Sequence, residues 1–556
     1  MRITGRVKKG IQIVSIIFVV SLCILHGFYI LTPTTLPQKQ SVNEAFTKTM
    51  DHLRVIAKEP HPTGTKANEE VRHYLTDQFD RLQVTYESIS FTLNGMTYVN
   101  YLIKLDAPTT EDGVMFVSHY DSVSAGPGAA DDGISVASML TVIEEAVSSQ
   151  SNKNDMYFLF TDGEELGLIG ADYFIKEYGE DYIDKIKLVI NLEARGNRGA
   201  LFMFETSSNN YNIAKMLQKA VPSGSTPFSF AAALYKKMPN DTDLTRFLEA
   251  GFQGMNFAVV RGGECYHTEQ DNVDILSRDT AYMYYATVSE LASYLGSSDL
   301  HELSREKEGV YFPVTKGKFF VCTESTMYLF SIFSLCIFII TAIFGIVKRR
   351  VRFDKLILSF SAFGIFLVSS YGLLLLIQKI NGKVLHTYVL QMILMGLLGL
   401  LIYIVAKKHL RIQEHLILWG SLFSVLGILS YMLFPAFSYM ISIILFIITL
   451  LLLTTVIYRG KSTKWLVPVL AGILCLVCTI LYVPVLIAVY DSILYVLSVN
   501  ITGLVLGITE TMLYSLCIGC LLLSFKVNTV STTKTSPRKS VNSLFRQLLQ
   551  YMKKQN

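Results

Sequence analysis

Histidine and carboxylate side chains concentrate in a few short segments of the first half of the chain. The densest segment is HYDSVSAGPGAADDGIS, residues 119–135, which holds His119, Asp121, Asp131 and Asp132. Carboxylates crowded in this way repel one another and are costly to desolvate unless cations compensate them. A bound divalent metal ion would supply that compensation. Imidazole and carboxylate ligands without a thiolate favour zinc, with manganese or cobalt as alternatives.

Three later segments add residues of the same types. Glu164 and Glu165 follow the run DMYFLFTDG, Glu193 closes IKLVINLE, and His267 follows FAVVRGGECY. Singly, each has an ordinary explanation, since a histidine after a strand is usually structural and paired glutamates at a helix start usually face the positive end of the helix dipole. Occurring together and in this order, they predict a metal site.

The elements that must position these residues are short apolar runs. Five runs have the length of a strand: residues 113–118, 155–161, 186–193, 200–205 and 254–260. Unbroken apolar runs are typical of parallel strands that are covered on both faces. Helical patterns lie between or after them, over 133–148, 210–220 and 279–297. The sequence therefore predicts an α/β fold, a three-layer α/β/α sandwich with a mostly parallel central sheet, whose ligands gather at the carboxyl ends of the strands.

Five separated motifs resemble, in type and order, those of the co-catalytic di-zinc aminopeptidases. They are His119-Tyr120-Asp121, Ala129-Ala130-Asp131-Asp132-Gly133, Glu164-Glu165-Leu166-Gly167, Glu193 and Tyr266-His267-Thr268. The resemblance extends over roughly residues 50 to 298. It implies the zinc aminopeptidase fold and a hydrolase that acts on peptide bonds.

The resemblance also implies a ligand set for two zinc ions per chain. Five residues would hold them: His119 and Glu193 on one ion, Glu165 and His267 on the other, and Asp131 on both. Asp132 stays open as an alternative to Asp131, because only spacing and motif alignment separate the two.

Three further roles follow from the same resemblance. Asp121 would orient the imidazole of His119. Glu164 would be the general base that takes a proton from water and passes it to the departing amine. Tyr266 would donate a hydrogen bond to the oxyanion, although a packed aromatic with a satisfied hydroxyl is an equally ordinary reading.

Two features indicate the membrane-embedded branch of that family, which includes the endoplasmic reticulum metallopeptidase and the fungal vacuolar membrane protease. The segment NLEARG puts Glu193 where other members carry aspartate. The segment MPNDTDLTRFLEAGFQGMNFAVV is similar to the Pro-Ser-Asp-Thr-Asp-Phe segment of the branch, with Asn240 in place of serine.

Composition also indicates a membrane protein. The chain is 51% hydrophobic and only 17% charged, whereas soluble domains carry about 25% charged residues. We expect four regions: a basic cytoplasmic end and transmembrane anchor over 1–32, an extracytoplasmic zinc peptidase domain over 40–310, an all-α transmembrane bundle over 324–525, and a basic cytoplasmic tail over 526–556.

The orientation comes from the basic loops, which are expected to stay in the cytoplasm. KRRVRFDK, KKHLR and YRGKSTK each follow an apolar run, and together they predict seven spans in the bundle. The run from Trp465 to Phe525 could hold three short spans instead of two, which would make eight. The membrane would be a bacterial cell membrane, or a vacuolar or reticular membrane in a eukaryote.

The function predicted from these observations is that of a membrane-bound zinc aminopeptidase acting on peptide substrates, with the lipid bilayer as a partner and no nucleic acid. The oligomeric state is left open. A glutaminyl-cyclase-like enzyme with a single zinc ion is one alternative, and a receptor or scaffold without catalysis is another. A transporter with the outer domain as its sensor is a third, since Glu510 and Asp491 lie in apolar spans.

Cysteine labelling tests the predicted orientation. Single cysteines introduced at Ser41, Thr315 and Ser540, in a background without the eight native cysteines, should react from outside at the first two positions and only after permeabilisation at the third. Reaction at position 540 from outside would mean one more span. Reaction at position 315 only after permeabilisation would reverse the orientation.

Overall fold

The computed structural model describes residues 25–108, 112–221, 224–238, 240–381, 388–457, 463–493 and 499–524, together with the isolated positions 14, 18, 21 and 22. Side chains are described within these ranges except over 377–392, 463–465 and 488–507. Most of the predicted anchor and all of the predicted tail over 526–556 lie outside the described residues.

A seven-stranded sheet forms the centre of the first region. In chain order its strands are β1 (Tyr86–Leu93), β2 (Met96–Leu105), β3 (Gly113–His119), β4 (Asp155–Thr161), β5 (Ile186–Ala194), β6 (Arg198–Thr206) and β7 (Gly254–Arg261). Their order across the sheet is β1-β2-β4-β3-β5-β7-β6. The four central strands run parallel, and β1, β2 and β6 pair antiparallel at the edges.

Helices cover both faces of this sheet. They are α1 (Gln40–Ile56), α2 (Lys66–Arg81), α3 (Ile134–Ser149), α4 (Ile169–Tyr182), α5 (Tyr211–Ala220), α6 (Ser229–Tyr235), α7 (Asp243–Glu249) and α8 (Arg278–Leu295). The apolar faces of α1, α2, α3, α5 and α8 pack on one side, and those of α4 and α7 on the other. The predicted three-layer fold with a mostly parallel central sheet is confirmed.

Strand β3 shows why the central runs are apolar without interruption. Successive side chains of a strand point to opposite faces of the sheet. Val114 and Phe116 accordingly join the core under α3 and α8, whereas Met115 and Val117 join the core under α4 and α7. All four are fully buried, so these positions must be apolar, and polar side chains enter the strand only at its end, at Ser118 and His119.

The five predicted strands correspond to β3 to β7, and the three predicted helices to α3, α5 and α8, with bounds that agree within a few residues. The hairpin of β1 and β2 was not predicted. Most side chains of β1 are exposed, because this strand lies at the edge of the sheet, and its pattern is therefore not that of a buried parallel strand.

A second hairpin, β8 (Gly309–Thr315) and β9 (Lys318–Thr323), leads into the C-terminal helices. These are α9 (Glu324–Val347), α10 (Phe353–Asn381), α11 (Tyr388–Ala406), α12 (Ile412–Leu433), α13 (Ser438–Ile457), α14 (Thr463–Ile493) and α15 (Val499–Ser524). Among the described residues, five segments are long and apolar enough to cross a membrane; four lie within α9, α10, α12 and α14, and the fifth, Pro435–Ile457, comprises α13 and the short turn before it. The prediction of a membrane protein with an all-helical C-terminal region is thereby confirmed.

In the part of the run from Trp465 to Phe525 that the structure describes, residues 465–493 and 499–524, two helices are present, α14 and α15. The number of crossings, their orientation and the domain boundaries nevertheless remain predictions. Of the two acidic residues predicted in spans, Glu510 is buried, while the side chain of Asp491 lies outside the described part of the chain.

The sheet region and the C-terminal helices are in direct contact. Phe312 of β8 stacks on Tyr439 of α13 with ring centroids 4.6 Å apart. Phe230 of α6 contacts Phe437, which lies in a short 3₁₀ turn between α12 and α13, at 5.0 Å. Aromatic pairs at such distances add to the apolar area that the contact buries. The C-terminal helices therefore form part of the packing around the sheet.

Candidate metal centre

The carboxyl ends of the parallel strands bring the predicted metal ligands together. His119 is the last residue of β3, Glu193 lies near the end of β5, Glu165 follows β4, and His267 follows β7. Asp131 joins them from the turn that precedes α3. Two trios of possible ligand atoms result, each with its atoms within 4.8 Å of one another: His119, Asp131 and Glu193, and Asp131, Glu165 and His267.

Asp131 is common to both trios. Its Oδ1 lies 3.4 Å from Nε2 of His119, and its Oδ2 lies 3.3 Å from Nε2 of His267. Oε2 of Glu193 is 3.9 Å from Nε2 of His119, and Oε2 of Glu165 is 3.1 Å from Nε2 of His267. This is the grouping that the sequence predicted for a carboxylate that bridges two metal ions.

The donor atoms fit metal ions. Nε2 of His119, Nε2 of His267 and Oε1 of Glu165 are buried and have no hydrogen-bond partner among the described residues. A buried polar atom without a partner costs free energy, and three of them face one another here. Imidazole nitrogen and carboxylate oxygen are also the donors that zinc takes in proteins.

Asp132 points elsewhere, although it is adjacent to Asp131 through a cis peptide bond. Its Oδ2 accepts a hydrogen bond from Oγ of Ser118 at 2.5 Å, and its Oδ1 accepts one from the hydroxyl of Ser135. The geometry therefore favours Asp131 as the bridging residue and gives Asp132 the hydroxyl groups of β3 and α3 as partners.

Asp121 lies between His119 and the Glu164-Glu165 pair. Nδ1 of His119 is 3.0 Å from the main-chain oxygen of Asp121 and 3.6 Å from its Oδ1. The carboxylate accepts hydrogen bonds from the backbone N–H groups of Glu164 at 3.1 Å and Glu165 at 3.3 Å. Asp121 thus contacts the His119 ring, as predicted, and also holds the backbone of both glutamates, which was not predicted.

A residue that sequence reasoning missed holds the Asp131 turn in place. The carboxylate of Asp271 accepts hydrogen bonds from the backbone N–H groups of Ala130 at 2.7 Å and Asp131 at 3.2 Å. Asp271 lies four positions after His267, in YHTEQD, so its closeness in sequence to a predicted ligand was the available signal. It connects the two loops that carry the shared ligand and the second histidine.

Glycines keep the Asp131 loop close to the His267 loop. A Cβ at Gly126 would overlap the main-chain oxygen of Thr268. Gly128 has a φ of +64° and faces the main-chain oxygen of Asp131. Residues with a side chain rarely adopt such a φ. The glycines of SAGPG therefore allow the Asp131 loop to lie close to the His267 loop.

His267 also has a left-handed backbone, with a φ of +55°. Non-glycine residues adopt this conformation uncommonly, and it is found at functional sites where the surrounding structure enforces it. The ring of Tyr266 stacks on that of His267, with centroids 3.7 Å apart. The conformation turns Nε2 of His267 towards Asp131 and Glu165.

A chain of hydrogen-bonded amide and carboxylate groups extends from Glu193 across β5, β7 and β6. Nδ2 of Asn191 lies 3.4 Å from Oε1 of Glu193 and donates to Oδ1 of Asn256 at 3.1 Å. Nδ2 of Asn256 in turn donates to Oε2 of Glu205 at 3.1 Å. Sequence reasoning missed Asn191, Asn256 and Glu205. The available signal for the two asparagines was a single polar side chain within each apolar run, INL and MNF.

The ionisation of the ligand side chains depends on how closely they are packed together. Burial raises the pKa of the Asp131 carboxyl, but the close imidazoles of His119 and His267 outweigh it and lower that pKa to about 2. Burial lowers the pKa of His267, but its contacts with Asp131 and Glu165 raise it overall to about 9. Imidazolium groups therefore balance the carboxylates when no metal ion does.

Fold and site together define an α/β protein with a candidate two-metal centre at the carboxyl ends of its parallel strands. Residues 100–292 match the family described as Peptidase family M28. The resemblance read from the five motifs is confirmed for this segment, which contains every predicted ligand.

A curated relative of similar sequence is the vacuolar membrane protease of Candida dubliniensis. It is 25% identical over 320 residues, which cover 54% of this chain and 33% of the relative. The chain thus spans about a third of the length of the curated relatives it matches.

Two solved structures with a similar arrangement are an aminopeptidase from Aneurinibacillus sp. strain AM-1 and a glutaminyl cyclase from Fimbriiglobus ruber. The first is 14% identical, with 47% of this chain and 96% of that chain covered and a TM-score of 0.40. The second is 14% identical, with 46% and 95% covered and a TM-score of 0.37.

Zinc affinity should depend on pH, because His267 must lose its proton before it binds a metal ion. Its pKa is raised from 6.5 to about 9, so the proton is bound below that pH and zinc must displace it. Burial lowers the pKa of His119, but its contacts with Asp121 and Asp131 raise it overall. Both imidazoles therefore release a proton, and each released proton raises the apparent affinity about tenfold per pH unit. Competition with a chelator at pH 6.5, 7.5 and 8.5 measures this slope on the full chain. The exposed-histidine control, His301→Gln, should give the same slope, and a flat profile would contradict the assignment of His267.

Proposed function

We propose that this chain is a membrane-bound zinc aminopeptidase that hydrolyses amino-terminal peptide bonds. The observation that carries the proposal is the shared position of Asp131, whose two carboxylate oxygens face the imidazoles of His119 and His267 at 3.4 and 3.3 Å. The match of residues 100–292 to Peptidase family M28 supports it.

The ligand assignment follows the two trios. His119 and Glu193 would hold one zinc ion, Glu165 and His267 the other, and Asp131 both. When bound, zinc lowers the pKa of a water molecule and polarises the carbonyl group that is attacked. The role of Asp121 would be to fix the ring of His119 and the backbone of the glutamates, so that the donor atoms converge without further movement.

Glu164 is the proposed general base. It lines the cleft beside Asp131 and Glu193 and belongs to neither ligand trio. Burial raises its pKa well above the ordinary value, and the neighbouring carboxylates act in the same direction, while metal cations would lower it. Its carboxylate can take a proton from the attacking water and deliver it to the nitrogen of the departing amine, which is the work of a positioned base.

Tyr266 is proposed to donate its hydroxyl proton in a hydrogen bond to the carbonyl oxygen as negative charge develops there. Burial raises its pKa above the ordinary value, so the hydroxyl stays protonated and can donate. The guanidinium carbon of Arg195 lies 4.7 Å from the centre of the ring, and the ring also stacks on His267. Both contacts fix the direction of the hydroxyl, and such a preorganised donor stabilises the transition state.

Restriction to amino termini would come from the acidic character of the cleft. Asp131, Glu164, Glu193 and Asp241 all line it. A free α-ammonium group can bind to carboxylates that are not fully engaged by the metal ions, whereas an internal peptide bond offers no positive charge. The α-ammonium would therefore place the first peptide bond next to Glu164.

For the whole chain we propose the topology that the basic loops indicate. The peptidase region over 40–310 would face away from the cytoplasm, and the helices between 324 and 525 would hold it at the membrane. The substrates would then be extracytoplasmic peptides.

Metal counting tests the two-zinc proposal. The full chain, purified in detergent, should contain close to two zinc ions and should lose its aminopeptidase activity on treatment with a chelator. The Asp131→Asn variant should lose affinity at both positions, because one carboxylate serves both trios. Activity with a single bound zinc ion would instead favour the cyclase-like alternative.

The variant Glu164→Gln tests the proton transfer, since it keeps the shape of the side chain and removes the base. It should retain zinc and lose about 10²- to 10⁴-fold in kcat, the usual contribution of a positioned base. Hydrolysis of aminoacyl reporter substrates measures the rate, and elemental analysis measures zinc. The exposed control Glu180→Gln should behave as the parent protein does, and near-normal turnover of Glu164→Gln would refute the assignment.

A further inference from the structure

A cavity extends from the candidate metal centre towards the C-terminal helices. It encloses about 1110 Å³, counting the part that is open to solvent. At one end it is lined by Asp131, Glu164, Glu193 and Tyr266. A substrate whose first peptide bond lies beside Glu164 would therefore extend one of its groups into this space.

The rest of the cavity is largely apolar. Six of its lining side chains are Phe202, Phe204, Phe228, Phe230, Leu234 and Val260. They come from β6, β7, α6 and the residue before α6. Apolar clefts with a few convergent polar groups at one end are typical of sites that bind a specific small group. The free energy of binding to this surface would be most favourable for a bulky apolar group, because such a group removes the largest apolar area from water.

One wall of the cavity comes from outside the sheet region. Val485 lines it, and this residue belongs to α14, within the segment Leu466–Ile487 that is long and apolar enough to cross a membrane. Val485 packs with its neighbour Ile487 against Phe202 and Phe228. The apolar contact between α14 and the sheet is thus continuous with the lining of the cavity.

The short helix α6, which supplies Phe230 and Leu234, also rests on the C-terminal helices. Phe230 contacts Phe437 at 5.0 Å, and Phe437 contacts Tyr482 of α14 at 6.2 Å. Oγ of Ser229 donates to the main-chain oxygen of Tyr311 in β8 at 3.1 Å. Two of the cavity walls, α6 and α14, therefore depend on the same aromatic contacts.

We propose that this cavity takes the bulky apolar side chain of the first residue of a peptide, and that Val485 of the membrane helix α14 sets how large that side chain can be. The inference rests on the proposed function, because it places the substrate's first residue by the peptide bond next to Glu164. It adds a substrate class, peptides that begin with phenylalanine, leucine or a residue of similar size, and a specificity residue outside the sheet region.

The full chain in detergent, loaded with zinc, is assayed with phenylalanyl, leucyl, alanyl and lysyl reporter amides. For the parent protein, kcat/KM for the phenylalanyl and leucyl substrates should exceed that for the alanyl substrate by about 10- to 100-fold, as expected when a pocket gains several apolar carbons. A preference for the alanyl or the lysyl substrate would overturn the proposal.

The variant Val485→Trp fills the cavity from the membrane side. It should lower kcat/KM for the phenylalanyl substrate about 10- to 100-fold, mostly through KM, and change the value for the alanyl substrate little. Val469→Trp is the matched control, because Val469 lies on the same helix and is 55% exposed. Equal losses for both substrates in Val485→Trp, with zinc retained, would overturn the proposal, and so would an unchanged profile.

A second readout needs no turnover. In the variant Val485→Cys, a maleimide should modify the thiol at position 485 more slowly when L-phenylalaninamide is present than when L-alaninamide is, as measured by mass spectrometry of the labelled peptide. Protection without hydrolysis of any reporter would refute the proposed function and keep the cavity assignment. Hydrolysis without selective protection would leave the peptidase and overturn the cavity assignment.

Discussion

Asp131 shares one buried carboxylate between two imidazoles, and the rest of the centre depends on that contact. Both oxygens are engaged within 3.4 Å, so a small shift of the turn that carries this residue would separate the trios. The sheet fixes His119 at the end of β3, and Asp271 fixes the turn through two backbone N–H groups. Gly126 allows the two loops to approach. The loop sequence SAGPGAADDG is thus dictated by the position of a single side chain.

The central fold was predictable because its signal is local. A strand buried on both faces is apolar at nearly every position, and the five runs from 113 to 260 show this pattern without any knowledge of which strands they pair with. Most ligands were predictable for a related reason, since His119, Glu165, Glu193 and His267 lie at or shortly after the ends of four of those runs. The hairpin of β1 and β2 was not predicted. Half-exposed strands such as β1 mix polar and apolar residues, and the sequence alone does not indicate which strand such a segment pairs with.

The supporting residues could not be read in the same way, because their roles exist only after folding. Asn256 is one amide in an apolar run, and its partners Asn191 and Glu205 lie 65 and 51 positions away. Buried amides of this kind find their partners only when the strands that carry them are brought together. Val485 is more distant still, since no feature of an apolar helix indicates which of its residues faces a cavity in another part of the chain.

Under the proposed cavity assignment, the position of α14 in the cavity wall would link peptide selection to the lipid environment. A membrane-spanning helix adjusts its tilt when its apolar length and the hydrocarbon thickness differ. Any such tilt of α14 would displace Val485 relative to Phe202 and Phe228, and hence change the width of the cavity. Thin and thick bilayers would then select different first residues from the same peptide mixture, which makes lipid chain length a determinant of the products.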